Sequence, residues 1–194
     1  MRGGGDRSRS RVRVLGVDPG TAVTGWGVIE RRAGAVSHLA HGTVTPDVQA
    51  TLPVKLAAIH DALVSRCAEW QPDVIALEKS FVGRNVQSAF RLGEVRGVVM
   101  LVAARAGLAI AEYSPAEVKL AVTGSGRAEK LQVARAIARE LALAGALASD
   151  AADALALALC HAWSAPHHAL ASAVAQGPGL QRAVVAAIER EARA

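Results

Sequence analysis

The sequence predicts an α/β domain built on a mixed five-stranded sheet, three antiparallel strands followed by two parallel ones, flanked by helices on both faces. Three observations lead there. Apolar patterning changes period along the chain in the order strand, strand, strand, helix, strand, helix, strand, and then a run of helices. The connections between the first three strands are short, as in an antiparallel meander, whereas the later strands are separated by whole helices. The 194 residues are 52% hydrophobic and 20% charged, enough apolar surface for one real core and too much for a disordered chain.

Residues 12–18 alternate and end in Asp-Pro-Gly, a strand closed by a tight turn. Residues 23–30 carry a second strand signal, and Arg31-Arg32-Ala33-Gly34 turns it into a third over residues 36–45. Leu52, Leu56, Ile59, Leu63 and Cys67 stand at helical spacing, so a helix is expected over 52–70, stopped by Gln71-Pro72 before a short buried strand over 74–78. A loop containing Phe81, Gly83 and Asn85 leads to a long helix over 86–106 and a further strand over 108–113. Ser114-Pro115 offers an N-cap with proline at the first helical position, opening a short helix that ends near Gly124-Ser125-Gly126. Helices over 128–143 and 149–163 complete the domain. Residues 1–11, rich in Gly, Arg and Ser, read as a disordered basic tail, residues 12–164 as the folded domain, and residues 165–194 as an Ala-rich extension, partly flexible or helical.

Composition narrows the function classes. Aromatics are only 3% of the chain and alanines number 42, so the apolar content comes from small side chains suited to close helix packing. The apolar run over residues 98–104 falls far short of the roughly 18 residues of a membrane span. Arg13 interrupts the hydrophobic segment that follows the basic N-terminus, and Asp18 and Pro19 close it, so no signal-peptide core is read there and a cytoplasmic protein is expected. Cys67 and Cys160 lack CxxC spacing and sit in apolar helical patterns, as buried thiols do. Of the net charge of +5, residues 1–13 contribute +4. Residues 79–139 hold ten Lys or Arg against four Glu, a local +6 that suits either a polyanion partner or an unevenly charged solvated surface.

Carboxylates rarely sit where a strand pattern demands burial, yet Asp18 ends the first strand and Glu78 ends the fourth after Val-Ile-Ala-Leu. Asp150 and Asp153 fall at i and i+3 in the opening of the last helix, behind Ser149 and among alanines that leave the helix face uncrowded. If the two strands are neighbours and that helix lies on the sheet, four carboxylates converge. Such a set repels itself unless divalent cations with hard oxygen ligands hold it together, and a pair of Mg²⁺ or Mn²⁺ ions is the recurrent device for cutting phosphodiesters. Taken singly, Asp150 also reads as a helix N-terminal acid and Asp18 as a turn residue. His161, eight residues beyond Asp153, can either reach the acids or sit satisfied in the core.

These residues carry a resemblance. Leu15-Gly16-Val17-Asp18-Pro19-Gly20-Thr21 with Thr24-Gly25-Trp26-Gly27-Val28-Ile29, then Pro72-Asp73 with Leu77-Glu78 and Phe81, Arg96-Gly97-Val98, Val118-Lys119, Ala128-Glu129-Lys130 and Asp150-Ala151-Ala152-Asp153 are similar, in order, to the RuvC-type Holliday-junction resolvases of the RNase H-like superfamily. The resemblance implies a metal-dependent endodeoxyribonuclease that nicks four-way DNA junctions in symmetric pairs during recombination and repair. It implies a homodimer working with branch-migration proteins of the RuvA and RuvB type. Asp18, Glu78, Asp150 and Asp153 take the family's metal-binding positions, and Lys119 and Lys130 match basic positions near the scissile strand. Phe81 takes the place of an aromatic that stacks at the junction centre, its other reading being a core residue. Arg84, Asn85 and Arg127 are further expected DNA contacts. No nucleotide-cofactor site is implied. In the long helix, Ala89, Leu92, Gly93, Arg96, Gly97 and Met100 form a stripe suited to a twofold interface or to packing on the sheet.

Two other classes compete. Asp-Pro-Gly-Thr before a second strand also cradles phosphate in actin-like and sugar-kinase-like ATPases, which normally need two such domains. A non-cutting junction-binding subunit would use the basic surface alone, but four retained acids would weaken its hold on DNA.

Overall fold

The computed structural model describes residues 11–79, 86–145 and 147–175. The elements follow in the expected order: β1 (Arg11–Asp18), β2 (Thr24–Arg32), β3 (Ala35–Val44), α1 (Leu52–Trp70), β4 (Val74–Glu78), α2 (Val86–Ala106), β5 (Ala109–Tyr113), α3 (Pro115–Thr123), α4 (Lys130–Glu140) and α5 (Ser149–Ala175). The strands form one sheet in the order β3-β2-β1-β4-β5. β1, β2 and β3 pair antiparallel, while β4 runs parallel to β1 and β5 parallel to β4. The β2–β3 turn is tight because Ala33 and Gly34 both take positive φ, 51° and 89°, the backbone twist that a two-residue hairpin needs.

Side chains alternate across the sheet, and the two faces are built differently. Leu15, Val17, Trp26, Val28, Ile75 and Leu77 point to one face, where they form a core with Ile59, Leu63 and Cys67 of α1 and Val95, Val99 and Val102 of α2. Gly16, Gly25 and Gly27 point to the other, and α5 lies directly on them. A Cβ at Gly16 would run into the Ala154 carbonyl, one at Gly25 into the Asp150 carbonyl, and one at Gly27 into the Leu155 side chain. Cys67 and Cys160 are both buried, and they do not form a disulfide.

Helix ends differ modestly from expectation. α1 stops where Gln71 turns left-handed at φ 47°. α4 covers less than 128–143, because Glu129 and Gln132 form its capping box and Ala142 takes a positive φ of 48°. α5 runs beyond residue 163, through Ala-rich sequence of high helix propensity. The compact unit carrying the sheet closes at Ala162. Among the described residues, no helix is long and apolar enough to cross a membrane.

Candidate active site

The acids meet because three elements end or begin at one edge. β1 and β4 run parallel, with Val17 opposite Leu77 as their last pair, so Asp18 and Glu78 leave the sheet side by side. Alternation turns both toward the face that carries α5. Asp18 is also the antiparallel partner of Gly25. Gly25 is where the Asp150 backbone touches the sheet, which brings the first turn of α5 over the same corner. The loop after Asp18 is tied by Thr24, fully buried, whose hydroxyl donates to the Gly20 carbonyl at 2.7 Å and accepts from the Gly20 N–H at 3.2 Å.

The electrostatics record this crowding. Burial, followed by the charges of Asp153, Glu78 and Asp150, pushes the Asp18 carboxyl up to about 7 against the partial relief of Lys130. Burial and Asp153 also raise Glu78, opposed by Arg96. Lys130 Nζ donates to Asp153 Oδ2 at 2.8 Å, which raises the lysine. Among the described residues no three acids are gathered tightly enough to grip an ion as they stand; the lysine is the cation that Asp153 holds. The donor set still fits a hard divalent cation. It is all carboxylate, mutually repelling, and its most buried member needs positive charge to ionise near neutrality.

Arg96 supports the edge from beneath. It is 8% exposed, and its guanidinium donates to the Glu78 backbone carbonyl and to the Glu112 carboxylate on β5. It therefore turns inward, not toward the stripe where helical spacing grouped it with Gly93 and Gly97. A stripe does stay open on α2. Phe90 is 71% exposed and Leu101 47%, Met100 is exposed near them, and a Cβ at Gly93 or Gly97 would meet open space. His161 Nδ1 shares a 2.6 Å hydrogen bond with the Tyr113 hydroxyl, and Tyr113 pairs with Glu78 in the sheet.

Asp18, Glu78, Asp150, Asp153 and Lys130 are thus brought together. Lys119 lies half-buried on α3 with no ion pair to the acids among the described residues, and Arg127 is exposed in the loop before α4. Phe81, Arg84 and Asn85 lie outside the described residues. Sequence reasoning missed Arg96 as a support and the glycine seam that seats α5. The signal for the first was an arginine inside an apolar helical run. That for the second was glycine in strand interiors, matched to alanines in the helix.

A mixed sheet in this order, with acids where its central parallel strands end and on the helix above, is the RNase H-like resolvase fold. The yeast mitochondrial Holliday junction resolvase Ydc2 shares it, with a TM-score of 0.56 over 79% of each chain at 14% identity. The particular family is marked by the sequence: the model for "Crossover junction endodeoxyribonuclease RuvC" matches residues 14–161, and the chain belongs to that family. Relatives of that name in Rhodospirillum rubrum and Paramagnetospirillum magneticum are 46% and 43% identical over 151 and 157 residues, covering 78% and 81% of this chain and 89% and 92% of theirs. T. thermophilus RuvC, solved in complex with Holliday junction substrate, matches with a TM-score of 0.76 at 31% identity, covering 79% of this chain and 94% of that one. Family membership decides against the ATPase and the non-cutting binder.

Proposed function

We propose that this chain, as an endodeoxyribonuclease, resolves four-way DNA junctions by paired, symmetric nicks, one from each subunit of a homodimer. The observation that carries the chemistry is the convergence of Asp18, Glu78, Asp150 and Asp153 at one sheet edge, with burial and mutual repulsion pushing Asp18 up to about 7. Those four carboxylates would hold Mg²⁺ or Mn²⁺, two ions per site. Bound there, the ions would supply a water acidified for attack on phosphorus and charge to stabilise the leaving 3′ oxygen.

The chain's own groups do the positioning. Gly25 and Gly16 seat the helix that carries two of the acids, and the Thr24 clasp fixes the turn that follows a third. Arg96 holds the Glu78 backbone and keeps that carboxyl more acidic than burial alone would allow. Lys130, already at the acid cluster, lies where its ammonium can neutralise phosphate charge, and Lys119 is assigned the same task. Phe81 stacks on bases opened at the junction centre, with Arg84, Asn85 and Arg127 on the backbone. The open stripe of α2, with Phe90, Leu101 and two glycines, supports a twofold contact between copies that sets two metal sites against two strands of like polarity. The family relation supports a cytoplasmic protein working with branch-migration proteins of the RuvA and RuvB type. The functional domain spans residues 12–164, between a basic tail over residues 1–11 and a C-terminal extension over residues 165–194.

The test is cleavage of synthetic four-way junctions with Mg²⁺ or Mn²⁺, using a linear duplex as control. Asp153→Asn is expected to bind junctions and lose cutting; full cutting by that variant would remove the acids from the chemistry.

A further inference from the structure

A cleft on the other side of α4 plays no part in the acid edge. Its volume is about 490 Å³, and Thr123, Ser125, Arg127, Gln132, Arg135 and Arg139 line it. Gln132, Arg135 and Arg139 share one face of α4 by their i, i+3, i+7 spacing, and Arg127 joins them from the preceding loop. All three arginines are exposed, and among the described residues none has a carboxylate partner. Two acids lie near in sequence: Glu140, next to Arg139, has no ion pair with these arginines among the described residues, and Glu129 is committed to the helix cap, its side chain accepting from the Gln132 backbone while Gln132 Oε1 accepts from the Glu129 N–H at 2.8 Å.

Three guanidinium groups gathered without an anion repel each other, and the arrangement is stabilised when an anion fills it. Arginine's planar fork matches phosphate oxygens two at a time. Small side chains between the arginines, Ser125, Ala128 and Ala136, leave room for a sugar-phosphate backbone to approach. Arg127 is three residues before Lys130, so at most about 10 Å of chain separates it from the lysine held at the acid edge.

We infer that this cleft is a second phosphate-binding site, holding the backbone of a duplex arm of the junction a few nucleotides from the phosphate that is cut. It rests on the junction-resolving function proposed above, and names contacts that the acid edge cannot make.

The experiment measures binding of a synthetic four-way junction, in chelator so that nothing is cut, between about 50 and 200 mM salt. Arg135→Gln and Arg139→Gln are compared with wild type and with Arg32→Gln, at the end of β2 away from Asp18. Each cleft substitution is expected to flatten the slope of log affinity against log salt by about one, and the pair by about two. Arg32→Gln should leave the slope unchanged. A double variant with wild-type affinity and slope overturns the proposal, and so does equal flattening by Arg32→Gln. Failure of the wild type to cut junctions with metal would instead sink the resolvase reading, which the binding slope does not measure.

Discussion

The two faces of the sheet solve the same packing problem with opposite materials. Under α1 and α2, interdigitated Leu, Ile and Val side chains fill the space. Under α5 the sheet presents glycines, and helix backbone rests on strand backbone. Both faces bury large apolar side chains, Leu15, Val17, Ile75 and Leu77 on the first and Val14, Ile29, Leu155 and Leu159 on the second, so both contribute to stability. Only the second also positions Asp150 and Asp153 over Asp18. Site geometry is therefore carried by one face, and under mutation it should separate from stability.

The largest effects come from attacking each face directly. Leu63→Ala, in the bulky core, is expected to cost about 2–5 kcal/mol while each folded molecule keeps cutting. Gly16→Val puts side-chain atoms where the Ala154 carbonyl stands; it should cost about 3 kcal/mol and abolish cutting even in the folded fraction. Denaturant melts paired with single-turnover junction cleavage check both. Equal loss of cutting per folded molecule in the two variants would break the comparison.

Arg96→Met tests the support between the faces. It strips partners from the Glu78 carbonyl and from Glu112, whose side chain is 38% exposed, so a loss of about 1–3 kcal/mol is expected, with slower cutting. Arg96→Lys should recover part of the stability.

A smaller effect follows from charge. In chelator, the folded protein holds a proton on Asp18 up to about pH 7, while the unfolded chain releases it near 3.8. The folded form binds more protons between those values, so stability falls as pH rises through that window. Thermal melts at pH 5 and 8 should show this fall in the wild type, and Asp18→Asn should flatten it. A wild-type melting temperature that holds steady across the window would contradict the crowding at the acid edge.

The smallest expected change lies off both faces. Ser114 accepts from the Glu117 N–H, and Glu117, pulled down to about 2 by its bonds to Ser114, accepts from the Ser114 N–H. Ser114→Ala should cost about 1 kcal/mol at neutral pH. The difference from wild type should shrink as pH falls from about 4.5 through 2, where Glu117 is protonated. Urea melts at two pH values measure it.

Element order and the four acids were legible because each is a local signal: a change of hydrophobic period, or a carboxylate where a strand should be apolar. The meander could be read from its short turns. What the chain order hides is how distant pieces meet. Helical spacing grouped Arg96 with Gly93 and Gly97, but periodicity cannot say that a long side chain turns inward to a carbonyl two elements away. His161 likewise was known to lie near the acids' side of the helix, while its partner Tyr113 is set by the β4–β5 pairing. Gly16, Gly25 and Gly27 look like weak points in their strands until the alanines of α5 are laid over them.

Because the seam under α5 is peptide against peptide at Gly16 and Gly25, the gap between helix and sheet there is set by atomic radii. Side chains trade rotamers as temperature and solvent change; a carbonyl resting on a Cα has no such freedom. The seam works as a gauge block, and the spacing of the acids above it should drift less with warming than any distance measured across the leucine-rich side.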